Sequence, residues 1–359
     1  EPRIDFSNDA NGALLLEPTR SNLVTYSEAF DNASWSKIGT TVASSQLLPS
    51  ISLNASEIKG TGATTDNGLK KILTTSTSAD YTFSVFIKYN NWQYVYIADR
   101  GDATTHAATF DLVNNTVVGS TSILDTKIES FANGWFRYSI KFARTNTTTF
   151  QMYTSFANSS HSIAPPTTTV STSDSFYIYG AQLEEGSYAT SYIPTSGSAV
   201  TRIADACNNG GNEQVINSTE GVLYFEGSAL ANDLTYRSIG LNSGSATNRL
   251  LLTFNNVSNN INFLIQVGGV TQVNINYASA NITSNKKYAL KFKQNDFALW
   301  VDGVEVGTDT SGATFTLNTL NNVSFDNSNG ADNFYGNVKD VRVYNTALTD
   351  NELAILTTI

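Results

Sequence analysis

Apolar and polar positions alternate along most of the chain. In residues 81–88, Tyr81, Phe83, Val85 and Ile87 fall on one face, and this period of two predicts a half-buried strand. Residues 92–97 carry the same pattern, and the pair Asn90-Asn91 between the two runs reads as a hairpin turn. Residues 135–142 alternate again, with Phe136, Tyr138, Ile140 and Phe142 on one side, and residues 150–156 and 176–183 continue the series. A polar, glycine-rich stretch, Asn208-Asn209-Gly210-Gly211-Asn212, reads as a connector and places a boundary near residue 208. Further strand patterns follow at 221–226, 250–254, 261–267, 270–277, 288–293, 297–301 and 335–344. Asp302-Gly303 predicts a type I′ hairpin, and residues 349–353 supply N-cap candidates for a short closing helix. No helical period of ten or more residues competes. The expectation is an all-β chain of two tandem β-sandwich (jelly-roll) domains, residues 1–207 and 208–359.

Composition narrows the function classes. Hydrophobic residues make up 40% of the 359 positions, enough for two cores, while charged residues make up only 14%. The 17 Tyr, 19 Phe and 4 Trp argue against disorder. Cys207 is the single cysteine, so no internal disulfide or cysteine-rich zinc cluster forms, and two His make a multi-histidine site improbable. The net charge of −10 comes with no basic block, which argues against nucleic acid as a partner. It also modestly disfavours a strongly acidic ligand, unless a local Lys or Arg patch overrides it. No apolar run is long enough to predict a membrane span. The opening Glu1-Pro2-Arg3 carries no signal-peptide pattern and reads as the start of a fragment or processed chain.

Ordered motifs at both ends of the first half carry a resemblance. They are Pro2-Arg3-Ile4-Asp5-Phe6, Leu14-Leu15-Leu16-Glu17-Pro18-Thr19-Arg20-Ser21-Asn22-Leu23 and residues 26–35, then residues 177–186, Thr190-Ser191-Tyr192-Ile193-Pro194-Thr195 and residues 200–205. Residues 1–207 resemble modules of phage and prophage tail-fibre and spike proteins, which look like carbohydrate-binding jelly rolls. Residues 215–359 resemble the laminin-G/concanavalin-A-like lectin superfamily. The matching pieces are Gly221-Val222-Leu223-Tyr224-Phe225, residues 299–304, residues 334–345 and the ending Ala347-Leu348-Thr349-Asp350-Asn351-Glu352-Leu353. That superfamily spans lectins, adhesion domains and glycan-cleaving enzymes, so fold alone does not settle activity.

Sugar binding needs flat aromatics and hydrogen-bonding groups. If Val95 and Ile97 point inward, Trp92, Tyr94 and Tyr96 share the opposite face, with Arg137 and Tyr153 as candidates for the same surface. The competing reading is that this row packs under a loop or a second sheet. Glycoside hydrolysis needs two carboxylates about 5–9.5 Å apart. Glu184 and Glu185 are adjacent and face opposite ways, Glu226 is isolated, and Asp302 and Glu305 flank a turn. A polysaccharide lyase needs a base and a charge neutraliser; His106, His161, Arg100 and Arg137 are of the right types, but no spacing selects a set. The resemblances imply a structural calcium in either sandwich, and the loop from Asp326 to Asp332 is rich in oxygen donors. No other cofactor is called for.

The reading that follows is non-catalytic binding of a polysaccharide or cell-surface glycan, as an adhesion part of a phage or prophage fibre or spike-like protein. Its expected place is the virion, or the extracellular or cell surface. The resemblance implies a homotrimer. A β-sandwich depolymerase, lyase or hydrolase, is the alternative, and a purely structural virion decoration or fibre protein is the third class.

Overall fold

A computed structural model describes residues 3–6, 10–44, 55–73, 78–145, 149–278 and 281–358; Glu1 and Pro2 of the first motif lie outside them. Among the described residues strands dominate and one α-helix, Asp350–Thr357, follows them, so the fold class is all-β. The chain divides into two compact units, one of residues 19–203 and the other of residues 1–18 with 204–359.

In the unit of residues 19–203, the described residues form two six-stranded antiparallel sheets. The first runs Thr116–Thr121, His106–Asp111, Tyr94–Asp99, Phe150–Phe156, Gly68–Leu73, Trp35–Ile38; the second runs Asp125–Ser130, Phe136–Ala143, Asp80–Tyr89, Ser175–Glu185, Ser56–Gly60, Thr40–Ser44. Their inward faces make one core. Phe83, Val85, Ile97, Phe110, Ile140, Phe156 and Ile178 in it are fully buried, as the period of two requires. The Asn90-Asn91 pair does not close a hairpin. Asp80–Tyr89 and Tyr94–Asp99 lie in different sheets, and the turn carries the chain from one layer to the other. Asn90 Nδ2 donates to Ser175 Oγ (2.7 Å) and Asn91 Nδ2 to the Ser173 carbonyl (2.8 Å), which holds the crossing to a neighbouring strand.

In the other unit, a seven-stranded sheet runs Arg3–Asp5, Ala13–Leu16, Gly336–Tyr344, Glu220–Ala229, Lys286–Lys293, Asp296–Val301, Val304–Asp309, and a five-stranded sheet runs Val270–Ala278, Asn260–Val267, Arg249–Phe254, Arg237–Asn242, Asn322–Ser324. Residues 1–18, grouped with the first half on the sequence alone, add two strands here. Leu14 pairs with Val338, Leu16 joins the core, and Arg3 forms ion pairs with Glu17 and Asp205. Alternation identifies a strand but not the sheet that receives it. The Asp302-Gly303 hairpin forms with both residues at positive φ (49° and 83°), and Val301 pairs with Val304 across it. Thr349 and Glu352 form a reciprocal capping box at the helix start.

One residue runs against the pattern. Strand Gly68–Leu73 sends Lys70 outward and Lys71 inward, where Lys71 is 1% exposed. Its Nζ donates to Ser34 Oγ (2.6 Å) and lies 5.4 Å and 5.6 Å from the Trp35 and Tyr26 ring centroids. No carboxylate faces it among the described residues, and burial pushes its pKa down to about 8. The folded state therefore sheds this proton before the unfolded chain does, and stability rises with pH between about 8 and 10.5. Lys71→Met is expected to flatten that rise and to be more stable than the parent at pH 7. Urea midpoints of both proteins at pH 7, 8.5 and 10 check it; parallel pH profiles would refute it.

Candidate functional site

The outer face of the first six-stranded sheet carries the aromatic row. Val95 and Ile97 enter the core, so Tyr94, Tyr96 and Ala98 point the other way. In register, Tyr96 stands opposite Thr109 and Ser155, and Ala98 opposite Ala107 and Tyr153. Tyr94, Tyr96, Ala98, Ala107, Tyr153 and Ala157 thus form a cluster of their own, apart from the main core.

Residues 157–163 cross part of this face. Ala157 N donates to the Tyr94 carbonyl (2.9 Å) and the Tyr96 hydroxyl donates to the Ile163 carbonyl (2.8 Å). The two ring nitrogens of His161 pair with the hydroxyls of Thr109 (3.0 Å) and Thr121 (2.9 Å). Gly119 makes room for it, since a Cβ there would lie 2.7 Å from the His161 Cβ. Burial lowers the His161 pKa, so the ring serves as a neutral hydrogen-bonding strap. Tyr96 is fully buried beneath the segment, and that burial raises its hydroxyl pKa well above the ordinary range.

Beside it stands Tyr153, whose register partner on the far side is Lys70. Lys70 Nζ lies 5.4 Å and Arg100 Cζ 5.5 Å from the Tyr153 ring centroid. Both cations are half-buried, and among the described residues neither forms an ion pair or a side-chain hydrogen bond. The ring attracts two positive heads, one from each side of its strand, by cation–π contacts worth roughly 0.5–1 kcal/mol each at exposed sites. Gln151, on the same strand, and Ser36, opposite Lys70, add uncharged hydrogen-bonding groups at this end.

The structure brings Tyr94, Tyr96 and Tyr153 together and sends the other two candidates elsewhere. Trp92 precedes the strand, so its parity does not extend to it. Its ring packs edge-on against Phe156 (5.4 Å) on the core side, and Nε1 donates to the Ala157 carbonyl (2.9 Å). Arg137 belongs to the opposite sheet, where it donates to the Thr190 carbonyl (2.6 Å) and Ser84 Oγ (2.8 Å) and lies over the Phe86 ring. Sequence reasoning passed over Lys70. The one available signal was a Lys-Lys pair inside a strand pattern, which forces one of the two outward. Arg100 was weighed only as a charge neutraliser, with no sign of its approach to Tyr153. The opposite sheet also carries an outward aromatic cluster of Phe86, Trp135 and Tyr179, with Tyr177 and Tyr192 against it.

Glu184, Glu226, Asp302 and His106, weighed for catalysis, are engaged locally. Glu184 is buried and accepts from the Thr190 amide and hydroxyl. Glu226 accepts from Asn285 (2.9 Å) and Tyr224 (3.1 Å) beside Lys339; burial works to raise its pKa, but these contacts outweigh it and hold the pKa low. Asp302 pairs with Lys286 (2.7 Å). His106 is buried, with Nδ1 on the Ser122 carbonyl (2.8 Å) and Nε2 3.5 Å from Asp102.

The loop proposed for calcium is closed on itself. Asp326 accepts from Ser324 Oγ (2.9 Å) and Ser328 N (2.6 Å), and Asp332 accepts from Asn327 Nδ2 (2.8 Å). Arg249 donates to the Asn327 carbonyl (2.6 Å). Asp326 Oδ1, Asp332 Oδ2 and the Asn327 carbonyl are thus taken up by donors, and the Arg249 guanidinium brings a positive charge to the loop, an arrangement that works against a cation there. Among the described residues, no group of three or more His, Cys, Asp or Glu could hold a metal ion.

A family match bears on one of the units. A family model described as the concanavalin A-like lectin/glucanases superfamily matches residues 229–354. Over those residues the match supports a lectin-like β-sandwich. No curated protein matches the sequence. Among solved structures, the chain is similar to the Ruminococcus gnavus IT-sialidase CBM40 bound to α2,3-sialyllactose (16% identity, 43% of this chain and 97% of that one, TM-score 0.36). It is similar also to domains LG4-5 of the mouse laminin α1 chain (12% identity, 79% and 90%, TM-score 0.29). A third similarity is to the leech intramolecular trans-sialidase (18% identity, 40% and 24%, TM-score 0.34). Scores this low assign no ligand and no activity to this chain. No helix among the described residues is long and apolar enough to cross a membrane.

Proposed function

We propose that the chain is a non-catalytic glycan-binding protein and that the outer face of the first six-stranded sheet is its binding surface. One observation carries the reading: three tyrosines gather on the sheet face turned away from the core, and Tyr153, which residues 157–163 leave slightly more open than Tyr96, is flanked by two cations that have no ion-pair partner among the described residues. Aromatic rings with hydrogen-bonding groups around them suit polyhydroxylated rings, and half-buried cations without carboxylate partners favour an anionic or polar ligand. The lectin-family match of residues 229–354 supports the same class for the other unit. The motifs of residues 1–207 support a finer assignment, an adhesion component of a phage or prophage fibre or spike-like assembly, acting as a homotrimer at the virion or cell surface.

Tyr153→Ala is expected to weaken glycan binding at least tenfold on an array of surface polysaccharides, with no products released by either protein. Tyr153→Phe, which keeps the floor, retains binding. Thermal melts distinguish loss of the surface from loss of the fold. Undiminished binding by a folded Tyr153→Ala protein, or release of reducing ends or unsaturated uronate, would overturn the reading.

A further inference from the structure

We propose that Lys70 and Arg100, held over Tyr153, form a subsite for the anionic group of an acidic saccharide, a carboxylate or a sulfate. The inference rests on the glycan-binding reading above and specifies its ligand class.

The chain as a whole is acidic, with 21 basic against 31 acidic residues. In such a chain most cations find carboxylates: Lys59, Lys141, Lys286, Lys291, Lys293 and Arg237 all do. Lys70 and Arg100 are exceptions that flank one ring, reaching it from the two sides of strand Phe150–Phe156. Two like charges drawn to the same aromatic floor repel one another, and a bound anion relieves that repulsion. Arg100 keeps its guanidinium fork free of acceptors among the described residues, so it can grip a carboxylate or sulfate with two parallel hydrogen bonds. Lys70 supplies a compact second charge. Gln151 and Ser36 stand next to them in the ladder, where sugar hydroxyls flanking the anionic group would fall. The negative field of the whole chain is screened within about 8–10 Å at physiological salt. The local pair therefore governs contact, while the net charge governs only approach.

The test is affinity electrophoresis of the whole chain, as parent and as Lys70→Gln, Arg100→Gln and the double variant. The gels contain polygalacturonate, dextran sulfate, neutral dextran or poly-glutamate at 50 and 300 mM NaCl. The expected result is retardation of the parent by at least one acidic polysaccharide. Apparent affinity should fall about fivefold in each single variant and more than twentyfold in the double variant, with a marked loss at high salt. Polygalacturonate alone would identify carboxylate as the anion, and dextran sulfate alone would identify sulfate. Equal retardation by poly-glutamate would overturn the saccharide subsite in favour of a generic anion patch. Acidic-polysaccharide binding that survives the double substitution would overturn the assignment to these residues. Binding of dextran without either acidic polymer would overturn the acidic class and leave glycan binding standing. Binding of none of the polysaccharides here or on the array would remove the underlying reading as well.

Discussion

Arg144→Met should destabilise the chain by about 3–5 kcal/mol, the usual cost of leaving a buried charge without its partner. Arg144 is 1% exposed. Its guanidinium lies 3.5 Å from Asp99, 4.0 Å from Asp102 and 4.1 Å from the Phe150 ring centroid. Each carboxylate has backbone support. Asp99 accepts from the amides of Gly101 (3.0 Å) and Gln151 (2.9 Å), and Asp102 from those of Ala103 (2.7 Å) and Thr145 (3.1 Å). The two respond differently to the site. Burial pushes the Asp99 pKa up, against the amides and Arg144. At Asp102 burial pulls the same way, but the Thr145 and Ala103 amides, with His106, outweigh it and hold the carboxyl low. Arg144 is the strong cation between two buried acids. Without it, Asp99, already pushed up by burial, favours the protonated form in the folded state more strongly, while the amides on Asp102 still hold that carboxyl low. The folded state then binds more protons than the unfolded chain, so the variant's deficit shrinks as pH falls toward the carboxylate range. Urea unfolding at pH 7.5 and pH 5 measures both effects. Asp99→Asn and Asp102→Asn added to Arg144→Met should recover much of the loss, because neutral amides need no cation. A deficit below about 1 kcal/mol, unchanged with pH, would mean that the guanidinium only fills space.

The fold was legible where a short-range rule decides it. Alternation put Phe83, Val85, Ile97 and Ile140 in the core, Asp302-Gly303 turned its hairpin, and Thr349 capped its helix. Pairing between distant segments was not legible. Nothing in residues 81–97 says that the Asn90-Asn91 turn changes sheets, because a turn between two alternating runs reads the same whether they pair or face each other. Nothing in residues 13–16 names Gly336–Tyr344 as their neighbour. The candidate site followed the same division. Strand parity placed Tyr94 and Tyr96 on one face, yet it could not extend past the strand start to Trp92, nor say that Arg137 sits in the opposite layer. That Lys70 and Arg100 reach Tyr153 depends on the pairing of Phe150–Phe156 with both Gly68–Leu73 and Tyr94–Asp99, which is a long-range fact.

Asn22→Leu tests why the end motifs of the first half belong together, and its expected cost is on the order of 4 kcal/mol, since each buried backbone group left unpaired costs about 1–3 kcal/mol. Asn22 is fully buried. Its Nδ2 donates to the carbonyls of Ala181 (3.1 Å) and Ile193 (2.8 Å), and its Oδ1 accepts from the amides of Val24 (3.0 Å) and Leu183 (3.2 Å). One amide side chain thereby satisfies four backbone groups in three segments. Neighbours complete the clamp on the strap that follows strand Ser175–Glu185. Gln182 Oε1 accepts from Ile193 N (2.6 Å), Gln182 Nε2 donates to the Thr190 carbonyl (3.2 Å), and the Thr195 amide donates to Ser27 Oγ (2.9 Å). Leucine repeats the branched heavy-atom skeleton of asparagine, so the substitution removes hydrogen bonds without opening a cavity. Asn22→Asp separates the two halves of the interaction: it keeps both acceptor bonds but aims a second acceptor at the Ala181 and Ile193 carbonyls. Its penalty should therefore exceed that of losing two bonds, and should ease as the carboxyl is protonated at low pH. Hydrogen exchange locates the damage. In Asn22→Leu the amides of Thr190 and Ile193 should lose protection before those of Phe83 and Ile140, because the strap depends on the clamp and the core strands do not. A variant that loses under about 1 kcal/mol, or frays uniformly, would show that the motif residues are held by the core packing around them and that the clamp adds little.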